Sequence, residues 1–455
     1  MSINLSGMTA TLQGGEVQVL VDSSEPLLKL SNLIDWTALQ ELVLVDLSKT
    51  PKGCSNVGRA LHLRIHLGVY ILQLIFNGTD RGMWNRLKYD ALWQKFCGLG
   101  VTDAWHVPHF TKIEEFRNRL SPATHHAISE IALKVAHAQR FTTGKFMDGD
   151  STVQEANMSY PADINIMHKL AKKAFKLTQR VPALEENLSV KLKLISGKVR
   201  EYVYLAKNTA LEKKRKVFAE VHEMVTEQVL PVIQEAMKIS EEEIQSFSQR
   251  TQDLFMHVCE KGSKLLADVE VFIETKKMVP DKPLCLHLDS VVCINKGKVG
   301  KPLEFGRVYQ LGRVDGNFLL IAKAKDLRES DKEAWDRLVY HHRRIFGVGT
   351  LQSAGADRGY FSAKNIKALR RAGVREIALQ MPCNIKNNFI RMEEEDWTRL
   401  KNRRAAVEPL IGLAKQGGLG KSRMKSDKST ESSAYRCVMG FNLRQICNRI
   451  QREAA

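Results

Sequence analysis

Strand-like patterning appears in two places in this chain, and a long helical stretch separates them. Residues 144–162, GKFMDGDSTVQEANMSYPA, shift to a strand pattern. From about 165 to 278 the spacing is helical, in KLAKKAFKL, LEKKRKVFAEVHEMV and EEEIQSFSQRTQDLF. Pro182 and Pro231 are expected to punctuate that block, and its charges fall mostly on solvated faces, as in a structural insertion. After Pro280 strands resume in LCLHLDSVVCI, EFGRVYQLGRV and GNFLLIAKAK, with turn signals at KGKVGK and VDGN. A helix near 331–345, the strand LQSAGAD, a helix over 362–372, the strand EIALQMP and a helix from about 395 complete the order. Any sheet containing the first strand must therefore close around an insertion. The fold class is a mixed α/β core with a large helical insertion.

Residues 57–140 read as helices, with Leu61, Ile65, Leu67 and Ile71 at helical spacing. Thr111 followed by Glu114 matches a capping box after Pro108. A helix pair there carrying Arg117 and Arg119 can lie on DNA or simply pack, and spacing does not choose. The expected division is an unassigned segment 1–56, a helical DNA-binding-type domain 57–140, the first part of the core 141–164, the insertion 165–279, and the rest of the core with a basic tail 280–455.

The 455 residues contain 69 Lys and Arg against 51 Asp and Glu, a net charge of +18 that points to a polyanion, above all nucleic acid. Eight cysteines without a CxxC pair argue against structural zinc and a disulfide framework, and suit a reducing cytoplasm. The first twenty residues lack a signal-peptide pattern, and runs such as LGVYILQLIF are too short to span a membrane.

Three acids fall at telling places. Asp150 is expected to end the first strand, Asp357 to end LQSAGAD, and Glu408 to lie inside the last long helix among Ala405, Ala406, Val407, Leu410 and Ile411. Open sheets form sites beyond strand ends. Converging carboxylates repel, and Mg²⁺ relieves that with oxygen ligands; a pair of ions can act on both oxygens of a phosphodiester displacement. Singly, each acid has a plainer role: Asp150 in a turn, Asp357 as a helix cap, Glu408 paired with Arg404. Only the set favours a site. Asp148, two residues before Asp150, shares its strand face, so spacing alone does not choose between them.

These residues resemble the bacterial insertion-sequence transposases of the DDE type. Asp150-Ser151-Thr152-Val153, leading into Tyr160-Pro161-Ala162-Asp163, is similar to the first-aspartate motif. GADRGYFSAKN resembles the second, with Asp357 in the aspartate place. RRAAVEPLIGLAK resembles the third, with Arg404, Glu408 and Lys415 at the family's spacing; Lys401 stands where the family has a tyrosine. Residues 57–120, the linker Lys296–Gly306 and the tail GLGKSRMKSDKSTESSAYRCVMGFNLRQI also resemble family parts, so the likeness spans roughly 57–450.

The resemblance implies an RNase H-like core, cleavage at the terminal repeats of a mobile element, and joining of the freed 3′ hydroxyl to target DNA. It implies Asp150, Asp357 and Glu408 as holders of Mg²⁺, two ions with Mn²⁺ as a substitute. It also implies double-stranded DNA as partner, a homodimer on DNA, no membrane, and a cytoplasmic, nucleoid-associated location. Among residues 401–455, twelve Lys and Arg stand against four Asp and Glu. Arg404 and Lys415 are placed for phosphate contacts beside Glu408, with a salt bridge and a solvated lysine as their plainer roles. Asp148 is a flanking acid selected by no motif. His341 and His342 point about 100° apart on a helix and read as surface or packing residues rather than a metal pair. Glu304 reads as structural. The alternative function is a catalytically silent, transposon-derived DNA-binding regulator; a helical scaffold for acidic proteins is a third.

Overall fold

The computed structural model describes residues 5–12, 15–47, 59–100, 107–158, 162–185, 190–205, 211–277, 279–298, 301–325, 329–381 and 393–454. Tyr160 and Pro161 of the first-aspartate motif lie outside the described residues. The chain forms two compact units: Met1–Glu155 with Gly306–Met424 and Lys428–Ala455, and Ala156–Phe305 with Lys425–Asp427.

The first unit begins with a hairpin of β1 (Leu5–Leu12) and β2 (Gly15–Asp22). Seven helices follow: α1 (Pro26–Leu33), α2 (Trp36–Leu47), α3 (Arg59–Phe76), α4 (Asp80–Leu87), α5 (Ala91–Phe96), α6 (Phe110–Arg119) and α7 (Pro122–Ala138). Leu67, Leu72, Leu87 and Phe96 are wholly buried among them. Helix α6 is capped at His109, whose Nδ1 lies 2.9 Å from the Thr111 hydroxyl. The expected capping box at Thr111 does not form, because the N-cap position is His109, two residues earlier, and Thr111 is already inside the helix.

Strand β3 (Phe146–Glu155) enters the main sheet. The second unit then takes over with α8 (Ala162–Thr178), α9 (Pro182–Glu185), α10 (Leu192–Leu205), α11 (Leu211–Ala236), α12 (Glu241–Ser246), α13 (Gln249–Phe255) and α14 (Lys261–Thr275). One apolar core, with Leu170, Val221, Val225, Val229 and Leu265 fully buried, joins them. Pro231 was expected to interrupt this block, yet α11 runs through it. Packing of the Val229, Val232 and Ile233 side chains outweighs the lost hydrogen bond.

Strands β4 (Val292–Lys298), β5 (Lys301–Val314) and β6 (Phe318–Lys323) follow, then α15 (Asp331–Phe346), β7 (Ser353–Ala356), α16 (Ala363–Arg371) and β8 (Glu376–Leu379). Three more helices end the chain: α17 (Glu394–Ala405), α18 (Val407–Ala414) and α19 (Asp427–Ala454). The sheet order is β4-β5-β3-β7-β8, with β6 also paired to β5. Strands β3, β5 and β6 are antiparallel; β7 and β8 run parallel to β3. The chain is thus mixed α/β with a mixed sheet.

Alternation along β3 sorts its side chains between the two sheet faces. Met147 and Gly149 face α15, where a Cβ on Gly149 would sit 2.6 Å from Trp335. Asp148 and Asp150 face the opposite way. On that side Tyr309, Leu311, Leu319 and Ile321 pack with Val407, Leu410, Ile411 and Tyr435. No helix among the described residues is long and apolar enough to cross a membrane.

Candidate active site

Register is what brings the acids together. Gly149 of β3 pairs with Ala356, the last residue of β7. The chain is parallel there, so Asp150 and Asp357 are the next residues on neighbouring strands, which lie about 4.8 Å apart. Asp150 does not end its strand, as the sequence suggested. Strand β3 continues to Glu155 because β5 keeps pairing with it as far as Gly306. What ends at this level is β7, so the site still opens beyond a strand terminus. Asp357 leaves the sheet and caps a short 3-10 turn, Arg358–Tyr360, accepting 2.9 Å from the Gly359 N–H.

Glu408 lies in the first turn of α18 rather than inside one long helix. The break at Ala406 has a local cause. Pro409 has no N–H to give the Ala405 carbonyl, and its ring crowds that oxygen. The turn that results presents Glu408 to solvent while Val407 and Leu410 are buried.

The three acids share one electrostatic environment. Burial pushes the Asp150 carboxyl above the ordinary aspartate value. The Ser151 N–H, 2.7 Å away, opposes that; Asp357 and Glu408 reinforce it, and Arg404 opposes it. Asp357, Glu408 and Arg404 are therefore each within charge range of Asp150. Their oxygens do not close into a tight cluster: among the described residues the set of three donors within 4.8 Å of one another lies elsewhere, at His126, Glu130 and His341. Arg404 is half-buried at the end of α17, and Lys415 is half-buried where a π-helical turn, Lys415–Leu419, begins.

Asp148 has a separate role. Its carboxylate is wholly buried and takes a fork from Arg403, with Nη2 at 2.6 Å and Nε at 2.9 Å. Arg313, its cross-strand neighbour, adds a contact at 3.4 Å. Both guanidiniums also lie over the Phe146 ring, at 4.4 and 5.3 Å. Burial raises the Asp148 carboxyl against the pull of these arginines. Gly355 leaves the room required, since a Cβ there would stand 2.6 Å from an Asp148 oxygen. Arg403 further donates 2.8 Å to the Ser353 hydroxyl, tying α17 to β7. This clamp fixes the helix whose next residue is Arg404.

The sequence reading also missed Tyr360 and Gln310. Tyr360 is fully buried against Trp335 and donates to the Gln310 side-chain oxygen. Gln310 in turn donates 2.8 Å to Asp331. Burial and the nearby Asp331, Asp150 and Asp357 charges keep the phenol protonated far above its ordinary value. The one signal for Tyr360 was its place in the RGY run after Asp357.

Arg117 and Arg119 sit elsewhere and are internally engaged. Arg117 forks onto Asp80 at 2.5 and 2.9 Å and donates 3.0 Å to Gln73. Arg119 donates 3.2 Å to the Leu47 carbonyl. Asp163 of the Tyr-Pro-x-Asp stretch belongs to the second unit, where it accepts 2.7 Å from a buried Lys282.

Residues 16–119 match the family model described as Transposase domain (DUF772), which supports an insertion-sequence transposase. No curated protein and no solved structure matches the chain. The matched segment precedes all three acids.

Proposed function

We propose that this chain is a DDE-type transposase with an RNase H-like core, and that Asp150, Asp357 and Glu408 serve its chemistry. The observation that carries the reading is the β3–β7 register, which sets Asp150 beside Asp357, with Glu408 and Arg404 in charge range of Asp150. Three antiparallel strands continued by two parallel ones support the RNase H-like core. The transposase-domain match supports the class.

The donor set suits a hard divalent cation, since it offers carboxylate oxygens from three elements and little competing base. Asp150, Asp357 and Glu408 would hold Mg²⁺, with Mn²⁺ as a substitute; when bound, such ions assist the attacking oxygen and stabilise the leaving one. The chain's own residues do the rest. Asp148 and Arg403 hold α17 rigidly against β3 and β7. That anchoring presents Arg404 toward the scissile phosphate, and Lys415 extends the contact along the backbone. Arg117 and Arg119 are further phosphate contacts in this reading, with Arg119 exposed and Arg117 braced by Asp80 and Gln73. The substrates are element ends and target DNA, with two chains on the paired ends.

The test is cleavage and strand transfer on element-end duplexes, with and without Mg²⁺. The reading expects Mg²⁺-dependent nicking that frees a 3′ hydroxyl. Salt-sensitive DNA binding without any cleavage would instead favour a silent, transposon-derived regulator.

A further inference from the structure

A second polar cluster lies apart from the acids, within the sheet-bearing unit. His126 and Glu130 are one turn apart on α7 and share a face. His341 reaches them from α15. Glu130 Oε1 is 3.1 Å from His341 Nδ1 and 3.9 Å from His126 Nε2. One ligand atom from each of the three lies within 4.8 Å of the others. The Ile321 carbonyl, from β6, is 3.1 Å from His126 Nε2. Donors of a single tetrahedral zinc, each about 2.0–2.2 Å from the ion, stand about 3.3 Å apart.

The enclosure is tight. The side chains of His126, Glu130 and His341 are 14, 7 and 12% exposed. The His126 ring lies 4.5 Å from that of His341 and 4.6 Å from that of Tyr435. Arg344 binds the second carboxylate oxygen of Glu130, which leaves Oε1 toward the histidines, as an outer-shell partner of a ligating carboxylate does.

We propose that His126, Glu130 and His341 bind one zinc ion, with the Ile321 carbonyl beside the fourth position. Two imidazoles and one carboxylate form a borderline donor set that selects zinc-like ions, whereas Mg²⁺ prefers all-oxygen sets such as the acidic triad. The ion ties α7 to α15 and to the sheet. The site is structural, because its donors come from packed helices and not from the face that carries Asp150.

The experiment uses the full chain without a histidine tag. It is loaded with Zn²⁺, dialysed against Mg²⁺ buffer, and its zinc counted by elemental analysis. The expected result is about one zinc per chain, lost by more than about a hundredfold in affinity in His126→Ala and His341→Ala. Asp150→Ala keeps it. Arg344→Ala, which removes no ligand, weakens it on the order of tenfold by freeing the Glu130 carboxylate from its outer-shell partner. Co²⁺ substitution adds a visible spectrum that reports tetrahedral nitrogen and oxygen ligation. No zinc above trace in the wild type, or zinc lost in Asp150→Ala but kept in both histidine variants, would overturn the site and leave a hydrogen-bonded cluster.

Discussion

In the sheet-bearing unit, several ion pairs are buried between elements distant in sequence, while others, such as Arg399 with Glu376 and Lys364 with Asp336, stay on the surface. Asp148 with Arg403 and Arg313, Arg307 with Glu431, and Arg117 with Asp80 all have side chains under a quarter exposed. In the helical unit, Lys198 with Glu201 and Glu220, and Lys238 with Glu235, lie on open faces. Lys282 with Asp163 is the buried exception there. Taking charge out of water is costly, and removing one partner of a buried pair leaves the other stranded. A chain that keeps such pairs beside its site holds its geometry through them. The helical unit draws its stability from apolar packing and keeps its charge solvated.

The largest effects separate chemistry from that scaffolding. Asp357→Ala and Glu408→Ala should each lower DNA cleavage by several orders of magnitude while leaving the melting temperature close to wild type. A melting temperature that falls along with activity would place these acids in the scaffold. Next is Asp148→Ala, which strands Arg403 and Arg313 and should cost about 3–5 kcal/mol of stability by denaturant titration. A loss under about 1 kcal/mol would mean that the arginines find other partners, and the contrast between units would weaken.

Smaller effects sharpen the contrast. Burial raises the Asp80 carboxyl, but Arg117 and Gln73 pull it down further, so its net position is below the ordinary value. A depressed carboxyl contributes stability that is present above its unfolded value and lost as pH falls through the folded one. Asp80→Asn should therefore flatten the acid limb of the stability–pH curve, measured between neutral pH and pH about 2. An unchanged slope would remove Asp80 from the buried class. Lys238→Ala, on an exposed face of the helical unit, should change stability by less than about 0.5 kcal/mol. A larger loss would show that solvated pairs matter there too.

Much of the sheet was legible because strand alternation and turn signals are local. The order strand, helical block, strands, then alternating helices and strands appears in the structure, except that LCLHLDSVVCI is irregular up to Val291 and its strand begins only at Val292. Asp150 was separated from Asp148 only by likeness to a family, and physically the two differ in what meets them: Arg403 forks onto Asp148, while Glu408 lies within charge range of Asp150. That pairing joins residues 255 positions apart, and no local pattern encodes it. Arg403 and Arg404 show the same limit, since neighbouring helical residues point about 100° apart and only the packing says which one turns inward. His341 and His342 divide likewise, one to Glu130 and the other to the Gly144 carbonyl. Breaks were misjudged in both directions, at Pro231 where packing carried the helix through, and at Pro409 where nothing did.

The central claim is that Asp150 serves the reaction and Asp148 serves the fold. The direct measurement is the initial rate of element-end cleavage with Mg²⁺ by Asp150→Ala and Asp148→Ala, each normalised to its folded fraction. The account predicts no detectable cleavage from a fully folded Asp150→Ala, and reduced but measurable cleavage from the folded part of Asp148→Ala. Cleavage retained in Asp150→Ala, or abolished only in Asp148→Ala, would contradict it.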